Sequence, residues 1–423
     1  MSDDTSKPRG RKPRSGKTNE MRTDGETVGG AGPSDVAIAD ANAEPRAPAP
    51  AGDEVAVQQA KTEPQPAPLA ADRTAIAVSR GFSSWLARMR CSLAFTSYQT
   101  GQLFLVGLLP DQRVSFHQQN YVRAMGVHAS PQRLYIASLF QIWRLENVLA
   151  PHERANRDFD RLYVPRNAQT TGDVDAHELA VDRAGRVIFV NTKYSCLATM
   201  SLTHGFRPLW KPPFITRLAA EDRCHLNGFA MEGGAPAYVT AVSRSNMING
   251  WRDRRHEGGV LIDVRTDRIV TDQLSMPHSP RVGPGGALWL LDSGRGMLAR
   301  IDPQTGRKED VAFCPGFLRG LALIGGYAVV TVSLPRDGAF SGLALQDELK
   351  ARDGEPWCGL CIVDLKNGDI VEWIRLDGAI KELFDVAVIA DTACPMALGV
   401  ASPDIQSLIS FDPEFGPLVP ANQ

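Results

Sequence analysis

Three histidines stand at the start of apolar runs that recur along the chain: His177, His225 and His278. Imidazole nitrogens that converge on one point suit Zn, Cu, Fe or Ni. Three histidines with an open fourth position are typical of a catalytic zinc site. Asn227 follows His225 by two residues, so both side chains lie on the same face of a predicted strand. The sequence therefore predicts a metal site formed by the three histidines.

Carboxylates lie close to these histidines or begin related runs. Asp173, Asp175 and Glu178 surround His177, and Asp385 begins a later run. Such groups complete a metal site, orient a histidine from the second shell, or act as a general base. We expect Asp175, Glu178 or Asp385 to act as the base.

Arg319 begins another of the runs and argues against a simple cation site, because it would repel a bound metal ion. Its guanidinium group fits an anionic part of a substrate, held beside the metal or in place of it. Asn227 and Ser279 are predicted to contact the ligand. In the alternative interpretation, the histidines satisfy backbone groups inside the fold and bind nothing.

The elements that must position these residues repeat along the chain. Each copy has an alternating apolar strand, a turn and further strands, with links such as "DRAG", "GPGG" and "DPQTG" that are typical of β-hairpins. A spacing of roughly 40 to 65 residues is typical of β-propeller blades with insertions. The copies begin near residues 125, 177, 225, 278, 319 and 384.

The last copy lacks outer strands, while residues 92–119 predict two or three strands ahead of the first copy. We therefore predict an all-β, six-bladed β-propeller whose N-terminal strands complete the last blade. Closing the ring removes exposed sheet edges. Seven blades are the alternative, if residues 92–119 form a blade with the C-terminus. In either ring, the first residues of each inner strand reach the mouth of the central channel.

The propeller is predicted over residues 83–415, between two tails. Residues 1–82 are rich in alanine, proline and charge and poor in aromatics, so we predict a disordered segment. Residues 416–423 form a short C-terminal tail. The run "KPRGRKPRSGK" predicts a solvated basic tail, with a tether to nucleic acid or acidic lipid as the alternative.

Composition narrows the class of protein further. A net charge of −2 over 423 residues argues against nucleic acid or an anionic membrane as a partner of the body. The sequence predicts neither a transmembrane helix nor a secretory signal. Seven scattered cysteines indicate a reducing cytoplasm. Cys358 and Cys361 are predicted to face opposite ways on one strand, which argues against a redox or zinc pair.

Two insertions are predicted near the channel. The segment "NGWRDRRHEGG", residues 249–259, is expected to lie as a loop over one face and to cover the channel. The segment "SGLALQDELKAR", residues 341–352, has apolar residues at helical spacing and predicts a short helix.

Several long segments, among them "TGDVDAHELAV", "MPHSPR", "LWLLDSG" and "FLRGLAL", resemble a bacterial family of conserved hypothetical proteins. Members carry a domain of unknown function. The resemblance covers roughly residues 83–415 and implies a propeller-like fold without an established activity. More distantly, the blade pattern is similar to NHL-repeat and gluconolactonase-like propellers. Those include metal-dependent lactonases and a lyase whose channel metal is held by histidines.

Two functions follow from these patterns. In the first, the protein is a metal-dependent hydrolase or lyase acting on a small anionic substrate at the channel mouth. In the second, it is a non-catalytic scaffold that binds a protein or a glycan. The scaffold interpretation makes the histidines dispensable and the insertions at 243–258 and 335–357 essential.

Overall fold

Six antiparallel sheets arranged in a ring form the protein, as seen in a computed structural model that describes residues 74–335 and 342–412. The predicted six-bladed β-propeller is confirmed, and the seven-bladed alternative is wrong. Most of the predicted N-terminal tail and the predicted C-terminal tail lie outside the described residues.

The N-terminal part of the described chain contributes strands to two different blades. Its elements are β1 (Ala75–Val78), α1 (Phe82–Met89), β2 (Cys91–Ser97), β3 (Gln102–Leu108) and β4 (Val114–Asn120). Strand β1 falls within the stretch predicted to be a disordered tail, so ordered structure begins earlier than expected. The cause is pairing that the local composition does not reveal: β1 forms a fifth strand along the outer edge of blade 5.

Blades 1 to 5 follow in order, each a meander of four strands counted from the channel outward. Blade 1 contains β5 (Val127–Ala129), β6 (Arg133–Ala137), β7 (Gln141–Asn147) and β8 (Arg161–Thr170). Blade 2 contains β9 (Ala176–Val181), β10 (Val187–Asn191), β11 (Cys196–Thr199) and β12 (Arg207–Trp210). Blade 3 contains β13 (Leu226–Glu232), β14 (Ala235–Ala241), β15 (Gly259–Asp263) and β16 (Ile269–Leu274).

Blades 4 and 5 have the same plan. Blade 4 contains β17 (Pro277–Val282), β18 (Leu288–Asp292), β19 (Met297–Ile301) and β20 (Lys308–Phe313). Blade 5 contains β21 (Phe317–Ile324), β22 (Tyr327–Ser333), β23 (Cys358–Asp364) and β24 (Ile370–Asp377). The insertion between β22 and β23 carries α2 (Ala344–Ala351), the helix predicted from its apolar spacing.

Blade 6 joins strands from both ends of the sequence. Its innermost strand is β25 (Val386–Ala390), which pairs antiparallel with β2 and continues outward through β3 and β4. The predicted closure of the ring by N-terminal strands is therefore confirmed. A last short strand, β26 (Pro395–Ala397), runs parallel to β8 along the outer edge of blade 1.

Apolar side chains fill the spaces between neighbouring blades. Helix α1 buries Phe82 and Trp85 against the core that blades 5 and 6 share. On β23, Cys358 enters that core, whereas Cys361 enters the core between blades 4 and 5. The two cysteines thus face opposite ways, as predicted, and all seven cysteines are buried without a disulfide. Neither α1 nor α2 is long and apolar enough to cross a membrane.

A β-bulge at the start of the inner strands positions the channel residues. In blades 2 to 5, one extra residue interrupts the pairing of the inner strand with its neighbour, close to the strand's first residue. A bulge lets consecutive side chains turn toward the same region instead of alternating between faces. Several successive residues of each inner strand can therefore reach the channel and its walls.

Candidate functional site

Glycines at the bulges show which positions of the blades are equivalent. The backbone of Gly126 lies against Glu178 of the next blade, and the backbone of Gly320 lies against Asp385. Gly228 meets Ser279 of the next blade in the same way. Glycine alternates around the channel with Glu178, Ser279 and Asp385, and these six residues are called the lower ring.

Two further rings lie above the lower ring, toward the channel mouth. The residues directly before the lower ring form the middle ring: Met125, His177, Asn227, His278, Arg319 and Phe384. The residues two positions before those of the middle ring form the upper ring: Arg123, Asp175, His225, Met276, Phe317 and Glu382.

The repeat suggested that His225 is equivalent to His177 and His278, but the structure places it elsewhere. It stands two residues earlier, in the upper ring, and Asn227 takes the equivalent place in the middle ring. Arg123, Asp175, His225 and Met276 all have positive φ angles between 47° and 54°. This left-handed backbone is uncommon for residues other than glycine and turns the chain into the inner strand.

The upper and middle rings enclose a cavity of about 560 Å³ at the channel mouth. All three predicted histidines line it, together with the predicted site residues Asp175 and Arg319. Fifteen residues line the cavity in all: Tyr98, Arg123, Met125, Asp175, His177, Asp222, His225, Trp251, Arg252, Arg255, Met276, His278, Phe317, Arg319 and Phe384. The cavity thus combines three imidazoles and four guanidinium groups with two carboxylates.

His225 is held by a carboxylate and an indole. Its Nδ1 lies 2.9 Å from Asp222 Oδ2, and the same oxygen accepts a hydrogen bond of 2.7 Å from Trp251 Nε1. The imidazole stacks on Trp251, with 4.2 Å between ring centroids. Burial alone would raise the pKa of Asp222, but His225 and these hydrogen bonds hold it below the ordinary value. Asp222 therefore stays ionised and fixes the proton of His225 on Nδ1.

His177 is fixed in the same tautomer by two acceptors. Its Nδ1 lies 3.0 Å from the Asp175 carbonyl oxygen and 2.9 Å from Thr192 Oγ1. Thr192 donates its own proton to the Leu226 carbonyl oxygen, so its hydroxyl accepts from His177. Burial lowers the pKa of His177, although the Asp175 charge opposes the shift. His177 is consequently neutral at pH 7, with an unprotonated Nε2.

His278 has a similar arrangement two blades further along the ring. Its Nδ1 donates to the Met276 carbonyl oxygen over 2.8 Å and lies 3.1 Å from Ser293 Oγ. Burial, and next the charge of Arg319, place the pKa of His278 well below its usual range. Across the residues that the structure describes, Nε2 of His177, His225 and His278 has no hydrogen-bond partner. Each ring therefore offers an acceptor nitrogen at the cavity.

Arg319 lies in an aromatic box at the wall of the cavity. Its guanidinium carbon is 4.9 Å from the ring centroids of Tyr98 and Phe317 and 5.7 Å from that of Phe384. Nη1 lies 3.3 Å from Glu382 Oε2. The ion pair and the aromatic faces compensate the charge. Nε and Nη2 form no hydrogen bond with any described residue, which leaves donors for a ligand.

Arg123 and the acidic residues before His177 form an ion-pair network at the rim. Arg123 Nη2 lies 2.7 Å from Asp173 Oδ1 and 3.3 Å from Asp175 Oδ1. Lys193 also pairs with Asp173, at 2.6 Å. Asp173 does not line the cavity. Asp175 lines it, but its carboxylate is already engaged with Arg123, which makes it a weak candidate for a base.

Glu178 and Asp385 lie below the cavity and pair with Arg281. Glu178 forms an ion pair with Arg281 Nη1 and accepts a hydrogen bond of 2.9 Å from the Phe229 amide. Asp385 accepts from the Val127 and Val386 amides at 2.9 and 2.8 Å, with Arg281 Nη2 3.9 Å away. Arg281 therefore joins Glu178 and Asp385 of the lower ring in a closed polar cluster.

Burial dominates the electrostatics of this cluster. It raises the pKa of Glu178, although Arg281 opposes the shift. Burial and the neighbouring Glu178 charge raise the pKa of Asp385 to about 7. The two carboxylates share one guanidinium, so one of them readily takes a proton near neutral pH. Neither carboxylate lines the mouth cavity.

Asn227 and Ser279, the predicted ligand contacts, are buried and do not line the cavity. Ser279 donates to the Arg319 carbonyl oxygen over 2.7 Å, so its hydroxyl joins two blades. Asn227 Nδ2 donates to the Pro277 carbonyl oxygen over 2.8 Å. Asn227 Oδ1 is buried and has no hydrogen-bond partner among the described residues.

The tautomers of the histidines bear on the predicted metal site. His177 and His278 each carry a proton on Nδ1 and are oriented by a second group, so their Nε2 atoms are in the form that binds a metal ion. His177 and His225 have ring centroids 5.0 Å apart. Within residues 74–335 and 342–412, however, no group of three or more histidine, cysteine, aspartate or glutamate side chains is arranged to hold an ion. A metal held by His177, His225 and His278 stays a prediction.

Sequence reasoning did not identify Asp222, Trp251 or Arg281 as functional residues. The spacing of Asp222 and His225, three residues apart at the turn into a strand, is the signal that could have paired them. Trp251 and Arg252 come from the insertion predicted to cover the channel, and both line the cavity. Arg281 follows His278 by three residues, where the bulge returns it to the channel.

Comparisons with known proteins identify the family of this chain. Residues 80–398 match the family described as "Domain of unknown function (DUF4915)", which confirms the resemblance seen in the sequence. No curated protein matches. A chain of the nidogen/laminin complex is similar at 12% identity and a TM-score of 0.45, covering 71% of this chain and 99% of that one. Virginiamycin B lyase from Staphylococcus aureus is similar at 11% identity and a TM-score of 0.32, covering 55% of this chain and 70% of that one. Neither likeness assigns an activity.

Proposed function

Since the chain belongs to the DUF4915 family, whose description assigns no activity, we propose a function from the channel-mouth cavity. The cavity binds a small molecule with an anionic group, and His225 acts on it as a general base. The observation that carries this proposal is the Asp222–His225 pair, which faces a cavity with four arginines. A volume of about 560 Å³ suits a small metabolite.

The arginines supply the site for the anion. Arg252 is exposed and lies over Trp251, 4.6 Å from the ring centroid. Arg319 keeps two nitrogens without a partner among the described residues. A guanidinium fork binds carboxylate or phosphate oxygens with two parallel hydrogen bonds. The aromatic wall beside Arg319 lowers the local dielectric, which strengthens the ion pair that a ligand would form.

The Asp222–His225 pair supplies the base. With its proton on Nδ1, His225 presents the Nε2 lone pair to the cavity and can take a proton from a water molecule or from the substrate. Asp222 would stabilise the imidazolium that forms, and Trp251 holds Asp222 in place. Proton removal from water leads to hydrolysis, and proton removal from carbon leads to elimination. The pair therefore supports a hydrolase or lyase, and no step depends on a metal ion.

Anion binding is tested with two arginines of the same insertion. Arg252 and Arg254 are both exposed, but only Arg252 lines the cavity. We expect malonate or phosphate to bind in isothermal titration, with affinity lowered about tenfold by Arg252→Ala, equivalent to one hydrogen-bonded charge contact. Arg254→Ala should leave affinity unchanged. Equal effects of both substitutions would show a diffuse surface charge effect and contradict the proposal.

The base is tested by turnover. A panel of lactones, esters and β-substituted carboxylates would be assayed with the wild type, His225→Gln and Asp222→Asn. We expect both variants to lose at least about 100-fold in kcat, the typical contribution of a general base, while malonate affinity changes little. Turnover that survives in His225→Gln would remove His225 from this role.

The scaffold function has one observation in its favour. Met247 and Ile248, in the insertion of blade 3, are exposed by 71% and 66%. Exposed apolar side chains of this kind are used in protein contacts. If the protein is a scaffold, Met247→Ser with Ile248→Ser would abolish partner capture, and His225→Gln would not. The enzyme proposal predicts that His225→Gln abolishes turnover and that Met247→Ser with Ile248→Ser does not.

A further inference from the structure

Three hydrogen-bond acceptors without donors occupy consecutive places in the middle ring. They are His177 Nε2 in blade 2, Asn227 Oδ1 in blade 3 and His278 Nε2 in blade 4. In both histidines Nδ1 carries the proton and is bonded to a backbone carbonyl oxygen. Within the described part of the chain, none of the three acceptor atoms has a hydrogen-bond partner.

The amide orientation of Asn227 is fixed by its surroundings. Only the amide nitrogen can donate to the Pro277 carbonyl oxygen, which lies 2.8 Å away. Oδ1 must therefore point the other way. Asn227 is only 2% exposed, so water from outside does not readily satisfy this oxygen. A buried acceptor without a partner destabilises the protein unless something binds it.

His225 is less suited than Asn227 to complete the set. It stands two residues ahead in the upper ring, stacked on Trp251 and bonded to Asp222. Asn227 shares its place in the blade with His177 and His278. The three side chains therefore start from the same level of the channel, in three consecutive blades.

We infer that a divalent transition-metal ion binds His177 Nε2, Asn227 Oδ1 and His278 Nε2 in the middle ring. Two imidazole nitrogens and an amide oxygen suit Zn²⁺, Co²⁺ or Ni²⁺. This site is independent of the anion proposal, because it uses none of the arginines. Arg319, whose charge acts on His278, is paired with Glu382, so its charge is compensated.

The test is metal titration of the full-length protein after chelation and dialysis. Co²⁺ would be added to the wild type and followed by calorimetry and by its visible absorption, which reports nitrogen and oxygen ligands. We expect one equivalent to bind. Asn227→Ala and His278→Gln should each weaken binding more than about 100-fold, beyond the 10- to 100-fold typical of losing an outer partner. His225→Gln should change affinity by less than about threefold.

Asn227→Asp separates ligation from a purely structural role, in case Asn227→Ala fails to fold. A carboxylate at this place should bind Co²⁺ more tightly than the wild type, and Co²⁺ should raise the Tm of this variant more than that of the wild type. The inference is overturned if the wild type binds no Co²⁺ at millimolar concentration. It is also overturned if His225→Gln abolishes binding while both Asn227 variants retain it. Malonate binding, measured on the same samples, shows separately whether the anion proposal holds.

Discussion

The lower ring and the two rings above it use similar residue types in opposite ways. In the lower ring, Glu178 and Asp385 are satisfied by Arg281 and by backbone amides. Above it, His177 and His278 satisfy one nitrogen each and leave the other toward the cavity. Polar atoms without partners therefore indicate a functional residue in the channel. A position near the channel axis alone does not.

The strongest test of this comparison removes Arg281. Arg281→Met leaves Glu178 and Asp385 buried without a counter-charge, and we expect the free energy of unfolding to fall by about 3–5 kcal/mol. Urea denaturation measures this loss. The exposed Arg254→Met serves as the control, with a change within about 0.5 kcal/mol. Similar small losses for both arginines would mean that the lower ring is not a structural cluster.

The pH dependence of stability sharpens the same point. The pKa of Asp385 is raised from 3.8 to about 7 on folding, so the folded protein binds a proton more tightly than the unfolded chain. The stabilisation is complete below pH 4 and is lost as the pH rises to 7. We expect the stability of the wild type relative to Asp385→Asn to fall by up to about 1.4 kcal/mol per pH unit in this window.

Urea denaturation of both proteins between pH 4.5 and 8 measures that difference. The difference is required because His177 and His278 titrate with the opposite sign. Burial lowers their pKa values, so their contribution is present above the unfolded pKa near 6.5 and is lost as the pH falls. Parallel curves for the wild type and Asp385→Asn would show that Asp385 takes up no proton on folding.

A smaller effect is expected for Trp251, which lines the cavity and also holds Asp222 in place. Trp251→Phe keeps the aromatic stack on His225 but removes the donor to Asp222. We expect a loss of about 1.5–3 kcal/mol, the contribution of a hydrogen bond to a charged group. Trp210→Phe is a matched control, because Trp210 Nε1 donates to the exposed Asp267. Thermal denaturation of both variants would compare them, and equal losses would contradict a special role for the Asp222 bond.

The smallest effect on stability is expected at the rim. Arg252→Ala removes a cation–π contact with Trp251 that contributes about 0.5–1 kcal/mol at an exposed site. Its unfolding free energy should therefore stay within about 1 kcal/mol of the wild type, even though anion affinity falls. A large loss of stability would mean that Arg252 supports the fold and is not reserved for a ligand.

The sequence was sufficient to predict the ring of blades, but not where each side chain lies in the channel or what it contacts. Turn residues and strand alternation identify the blades and the closure of blade 6, because both signals are local. The place of His225 was misjudged because a histidine just before a strand resembles His177 and His278, whereas Asn227, two residues later, takes the equivalent place beside Gly228. The β-bulge at Asn227 interrupts the alternation that would otherwise mark this place. Arg281 was missed because its partners Glu178 and Asp385 lie in other blades.

The residues that line the cavity divide into those that begin inner strands and those that lie in loops. His177, His278 and Arg319 were predicted because they begin inner strands. Asp222 and Trp251 come from loops, whose course depends on long-range packing. Trp251, for example, packs with Leu345 and Leu349 of α2, about a hundred residues later.

Ring closure also has a consequence for synthesis on the ribosome. Ser97 Oγ donates to the Glu382 carbonyl oxygen, 285 residues later in the chain. Blade 6 is complete only when β2 pairs with β25. At 5–20 residues per second, the first strands of blade 6 are made roughly 15 to 60 s before their inner partner. Phe384, which lines the cavity, directly precedes β25 in the chain. Nascent chains that have not yet reached β25 therefore lack the complete cavity.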